Sequence, residues 1–215
     1  MKSLLQLAAD TSQDVLDVAA LRRIYSAGPG ATSLAKVADH LHPLYRPYIE
    51  AAPFAVLATL GPLGLDISPR GDAPGFVRIA DERTLLLPDR RGNQRIDSLR
   101  NLVQDPRMAL LFLIPGCGEA LRVNGTARIS ASPELCAQFV VQDQPPASVL
   151  VISVATVFFQ CARAIKRSGL WSPSSFVAKG TLPSPGAILQ ALSQASIDGA
   201  AYDATLQPRQ QATLY

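Results

Sequence analysis

Between Phe54 and Gln160 the chain carries a succession of short apolar, β-prone runs: FAVLATL, LDISP, GFVRIA, TLLLP, MALLFLI, ALRVNGTARI and VLVISVATVFF. Each is of strand length, and most are bounded by turn-forming residues. Gly61, Pro62 and Gly64 suit a hairpin turn between the first two runs. Asn124-Gly125 falls inside LRVNGTARI and predicts one long kinked strand rather than a chain reversal. Only one helix is embedded among the first six of these runs, roughly from Gln94 to Gln104, with Ile96, Leu99 and Val103 on one face and a stop before Asp105-Pro106. Six or seven strands with few crossover helices favour an antiparallel barrel over a doubly wound parallel sheet, and the strand order cannot be a simple meander.

The flanking segments are helical. DTSQDVLDVAALRRIYS predicts a first helix with Thr11 and Asp14 at its start, closed by Gly28, Pro29 and Gly30. A second helix begins near Thr32 or Ser33 and sets Leu34, Val37, Ala38 and Leu41 in one stripe, and HPLYRPYIEAA forms a further short helix. Ser132-Pro133-Glu134 is a compact helix start that directs Leu135 and Phe139 to the core. A short helix over 187–194, resting on Ile188, Leu189 and Leu192, precedes the end of the sequence. The expected organisation is a helical extension over 1–52 packed on the barrel, the barrel over 53–180, and a tail with a short helix over 181–215.

With 48% hydrophobic and 17% charged residues, 215 residues suffice for one sizeable core. A net charge of +3 and no lysine-rich tract favour a small anionic ligand over nucleic acid. The longest apolar run, Val149 to Phe159, is too short to span a bilayer, and MKSLLQLAAD meets Asp10 too soon for a signal peptide. Cys117, Cys136 and Cys161 have no metal-ligand spacing, and their odd number argues against a closed disulfide framework, so the expected location is the cytoplasm. His40 and His42 are the only histidines, with no G-x-S-x-G elbow, no G-x-G-x-x-G and no G-x-x-x-x-G-K-[ST].

Chemistry concentrates between Leu65 and Arg95, LDISPRGDAPGFVRIADERTLLLPDRRGNQR. There strands lead through a Gly-Asn turn into a helix, whose first turn offers unpaired N–H groups and a partial positive charge. Arg90, Arg91 and Arg95 add charge-assisted donors, a combination suited to a phosphorylated ligand. The alternative is a solvated helix start, with these arginines paired to Asp89 or Asp97 and Arg70 paired to Asp72.

SPRGDAPGFV, LLLPDRRGNQRIDSLRNLVQDPRMALLFLIPG and EALRVNGTARI together resemble the FMN-binding members of the pyridoxamine 5′-phosphate oxidase-like family, over roughly Pro53 to Trp171. The resemblance implies a mainly β, split β-barrel with helical additions, forming a homodimer with FMN in a cleft between subunits. It places the phosphate at Arg90, Arg91, Gly92, Asn93 and Arg95, and the ring edge along Ser68, Pro69, Arg70 and Gly71. QCARAIKRSGLW resembles a motif of a flavin-binding subgroup, with Gln160 where a histidine is expected. Lys166, Arg167 and Trp171 are thereby candidates to approach the partner's flavin, although Trp171 alternatively serves as a core or interface aromatic. The namesake enzymes carry an R-x-H-x-R motif for the vitamin-B6 substrate, whereas no histidine follows His42 here. The expected activity is that of an FMN-dependent oxidoreductase on an unidentified small molecule. Non-catalytic flavin storage or sensing remains the alternative, and deazaflavin or haem remains an alternative ligand.

Overall fold

The computed structural model describes residues 3–215, which divide into two compact units, residues 3–36 and 37–215. The first unit holds three short helices, α1 (Leu4–Ala8), α2 (Val18–Ile24) and α3 (Ala31–Ala35). The α2 cap is Asp17, whose carboxylate accepts from the Ala20 N–H at 2.6 Å, so this helix starts later than the Thr11–Asp14 spacing predicts. The stripe expected from Leu34 to Leu41 does not form either, because α3 stops at Ala35. Beyond it Ala38 exchanges both backbone hydrogen bonds with Val157, an extended pairing that leaves no helical phase for Leu41.

The second unit opens with α4 (Arg46–Ala51) and the hairpin β1 (Phe54–Gly61) and β2 (Gly64–Gly71). Gly61 pairs with Gly64 across the turn, and Gly64 adopts a φ of 105° that favours glycine. There follow β3 (Arg78–Ile79), β4 (Thr84–Asp89), α5 (Asp97–Gln104), β5 (Arg107–Leu113), β6 (Ala120–Ser130), α6 (Pro133–Ala137) and β7 (Ser148–Gln160). The seven strands form one sheet in the order β2-β1-β5-β6-β7-β4-β3, with every ladder antiparallel. Although β2 and β4 are separated in that order by four strands, their ends border one cleft and are bridged by an ion pair. The sheet has therefore curled into a barrel that stays open along this seam, a split barrel.

Alternation fills the interior. Ala55, Leu57 and Thr59 of β1 and Met108, Leu110 and Phe112 of β5 are buried beside Leu85, Leu87, Val123 and Ile152. The kink expected at Asn124-Gly125 is a register shift: Asn124 faces Thr156 while Gly125 faces Val154. A Cβ on Gly125 would lie 2.0 Å from the Ser153 carbonyl oxygen, so only glycine permits the bulge.

Helix α5 departs from its predicted phase. It begins at Asp97, and its buried residues are Ser98 and Leu102, while Ile96 and Val103 are exposed. Two polar contacts set this rotation: Ser98 Oγ donates to Asp66 at 3.1 Å and Asn101 Nδ2 donates to Thr59 Oγ1 at 3.1 Å. The α6 start behaves as expected, with Ser132 accepting from the Leu135 N–H and Phe139 buried in a second small cluster.

After β7 come α7 (Arg163–Ser168), a 3₁₀ turn (Pro173–Ser175), α8 (Pro185–Leu192) and α9 (Gly199–Ala212). The sequence reading missed α9, whose polar composition and internal Pro208 hide it. Ile188 and Leu192 are exposed, contrary to their expected packing role, because glycines bring α8 and α9 together. A Cβ on Gly186 would lie 2.1 Å from the Gly199 carbonyl oxygen. Asp203 fixes the pair by accepting from the Gly186 N–H at 2.8 Å.

Candidate functional site

The cleft along the barrel seam has a volume of about 850 Å³. One wall is β2. Its burial alternates, with Asp66, Ser68 and Arg70 half-buried and Leu65, Ile67 and Pro69 exposed. The Asp66 carboxylate accepts from Ser98, which ties the start of α5 to this wall.

The opposite lip is the segment from Asp89 to Ser98. It is held at both ends: Arg90 pairs with Asp72, directly after β2, at 2.7 Å, and Ser98 holds Asp66. Asp66 and Asp72 lie six residue steps apart along extended chain, about 20 Å at strand rise. The segment thus runs the length of the cleft. Along it Gln94 and Ile96 adopt positive φ values of 59° and 52°, a conformation uncommon for side chains other than glycine. Ile96 is the α5 N-cap and supplies no side-chain hydrogen bond, so no capping side chain covers the helix start.

Charge along the cleft is mixed but arginine-rich. Arg70, Arg90, Arg91 and Arg95 line it with Asp66, Asp89 and Asp97. Arg95 pairs with Asp97 at 2.8 Å and leaves 75% of its side chain exposed. This is one of the pairings anticipated for a solvated helix start. Arg90 is bound more deeply. Its side chain is 15% exposed and that of Asp72 is 3% exposed, and Arg90 also donates to the Phe139 carbonyl. The Asp72 carboxylate further accepts from the Ala73 N–H at 2.7 Å and from the Tyr215 hydroxyl at 2.6 Å. Burial alone would raise the Asp72 carboxyl, but these hydrogen bonds and the Arg90 charge hold it below its ordinary value. The same contact, with burial, holds the Tyr215 phenol above its ordinary value. Burial pushes the Asp89 carboxyl up, against the opposing charge of Arg70.

Ser68, Pro69, Arg70, Gly71, Arg90, Arg91, Gly92, Asn93 and Arg95 all line this cleft. Lys166, Arg167 and Trp171 are not among its lining residues. Lys166 and Arg167 occupy the last turn of α7 and are exposed, and Trp171 donates from Nε1 to the Cys117 carbonyl at 2.7 Å. Arg70 donates to the Pro69 carbonyl, and Asp72, its expected partner, is taken by Arg90. Sequence reasoning missed Asp89, the loop residues 144–147 and Tyr215 as parts of the cleft. An acid beside the arginine pair was visible for Asp89, whereas nothing local marks Tyr215, whose place depends on a contact across 143 positions.

The donor set fits a flavin nucleotide. An uncapped helix start beside Arg95, in a cleft that Arg91 also lines, suits a phosphate, and the β2 wall offers a long, partly apolar surface for a ring system.

The sequence profile of the Pyridoxamine 5'-phosphate oxidase family matches residues 41–161. No curated protein matches the chain significantly. Among solved structures, the chain is similar to HupZ of Group A Streptococcus, with 20% identity over 54% of this chain and 90% of that one at a TM-score of 0.44. It is also similar to a putative pyridoxamine 5'-phosphate oxidase of Lactobacillus delbrueckii, with 17% identity over 56% of this chain and 95% of that one at a TM-score of 0.44. A protein of Clostridium acetobutylicum related to general stress protein 26 shows 13% identity over 54% of this chain and 84% of that one, with a TM-score of 0.42.

Proposed function

The chain belongs to the pyridoxamine 5'-phosphate oxidase family, and from that premise we propose that it binds FMN in the seam cleft and acts as an FMN-dependent oxidoreductase on a small molecule other than a B6 vitamer. One observation carries the reading: a single cleft gathers the β2 segment Ser68–Gly71, the turn Arg90–Arg95 and the uncapped start of α5. In this reading Arg91, Arg95 and the α5 amides hold the phosphate, while Gly92 and Asn93 shape the turn. The flavin, when bound, supplies hydride or electron transfer, and the chain supplies binding, orientation and electrostatics. Arg70, half-buried on the cleft face of β2, adds positive charge toward the ring end. The absence of any histidine after His42 supports the exclusion of the B6 substrate.

The proposed assembly is a homodimer. Leu63 in the preceding turn and Leu65 and Ile67 of β2 expose an apolar stripe beside an edge strand of the sheet, and such an edge calls for a cover. In the dimer Lys166, Arg167 and Trp171 are assigned to the partner's flavin. Among the described residues no helix is long and apolar enough to cross a membrane. The proposed setting is the cytoplasm, where free Cys117, Cys136 and Cys161 stay reduced.

The test is the visible spectrum of the purified protein with added FMN, followed by stopped-flow reduction with NADH and NADPH. A shifted flavin spectrum with reduction and turnover is expected. Tight binding without turnover would favour flavin storage or sensing, and a protein that leaves the flavin spectrum unchanged would contradict the proposal.

A further inference from the structure

The barrel seam is lined by one residue from far outside the barrel. Tyr215, which follows α9, borders the cleft, donates its hydroxyl to Asp72 at 2.6 Å and lies with its ring 5.6 Å from the Arg90 guanidinium carbon. This contact is built rather than incidental, because the Asp72 carboxylate is almost fully buried and its other hydrogen bonds come from Arg90 and the Ala73 amide. The tyrosine is therefore docked at a fixed point of the seam.

That point lies at a defined end of the cleft. Ser98 ties the α5 start to Asp66, whereas Tyr215 is tied to Asp72, about 20 Å further along extended chain. A nucleotide whose phosphate sits at the α5 start, beside Asp66, and whose ring system lies along Ser68 and Arg70 points that ring toward Asp72. Resting on the reading of this cleft as a flavin site, we infer that Tyr215 is a positioning residue for the isoalloxazine end of the flavin, held by Asp72 so that its aromatic ring forms the end wall of the cleft. The segment after β7 thereby completes a cofactor site that the barrel alone leaves open. Phe76, buried and also lining the cleft, gives that end a second aromatic surface.

The experiment compares the wild-type chain with Tyr215→Phe and Tyr215→Leu, titrating each with FMN by calorimetry and recording the emission of the bound flavin. Removing the ring in Tyr215→Leu is expected to weaken FMN binding about three- to tenfold, the range for loss of an aromatic contact. Tyr215→Phe keeps the ring and is expected to retain affinity within about threefold. Its bound flavin should nonetheless emit more brightly than in the wild type, because a phenol quenches an excited flavin by electron donation and a phenyl ring does not. A tyrosine that only stabilised the fold would leave that emission unchanged. Wild-type binding of FMN with unaltered affinity in Tyr215→Leu and unaltered emission in Tyr215→Phe would overturn the role of Tyr215 alone. Failure of the wild-type chain to bind FMN would overturn the flavin reading of the cleft and this inference with it.

Discussion

Asp72 and Asp89 are two aspartates at one seam with opposite environments. Asp72 is held ionised by Arg90, Tyr215 and a backbone amide, so the folded state prefers its charged form. A lowered folded pKa contributes stability above the ordinary carboxylate value of 3.8, and this is lost as pH falls through the folded value. Asp72→Asn should therefore destabilise the protein by about 3 kcal/mol at pH 7, since it leaves Arg90 buried without its partner. Chemical denaturation should show that gap starting to narrow below pH 3.8, where the unfolded chain takes up the proton, and closing only below the lowered folded value, where the folded carboxyl is neutral too. Asp89 has the reverse sign. Its raised folded pKa makes the ionised form a burden at neutral pH, with the most favourable contribution below 3.8 and loss as pH rises through the folded value. Asp89→Asn is expected to raise stability by about 1 kcal/mol at pH 7 and to give no gain near pH 3.5. A thermal melt at both pH values checks it. A cleft-lining acid whose carboxyl is pushed up by burial is the pattern of a functional site.

At the scale of elements, the bulge in β6 and β7 lets two long strands turn a barrel corner. Gly125→Ala places a methyl group against the Ser153 carbonyl and should destabilise by about 3 kcal/mol, measured by urea unfolding. That kink was legible because Asn-Gly sits inside an otherwise continuous β-prone run. The strands and the β1–β2 hairpin were legible for the same reason, through alternation and turn chemistry. Helix α5 was found but mis-phased, since its rotation is set by Ser98 on Asp66 and Asn101 on Thr59 rather than by its apolar residues. Helix α9 escaped detection because glycine contact and Asp203 hydrogen bonds hold it, neither of which leaves a periodic apolar pattern. Most of the cleft was visible as the local run from Leu65 to Arg95. The α5 start, Ile96 to Leu99, continues that run, whereas 144–147 and Tyr215 arrive through tertiary closure of the seam.

For the whole molecule, a curled sheet leaves one seam open and one edge uncovered. The seam gathers arginines and an uncapped helix start, and the edge strand β2 with the turn before it leaves Leu63, Leu65 and Ile67 exposed. Dimerisation covers that edge in the proposed assembly, so sedimentation should show a dimer, and Leu65→Lys with Ile67→Lys should shift it toward monomer by placing like charges at the contact. The central claim is that the α5 end of the seam holds a flavin phosphate, and calorimetric titration with FMN and with riboflavin, which lacks the phosphate, tests it most directly. FMN should bind at least about tenfold more tightly than riboflavin, and replacing Arg91 and Arg95 together by alanine should erase the difference, as expected for lost charge-assisted hydrogen bonds. Equal binding of FMN and riboflavin, or binding of neither, would contradict it.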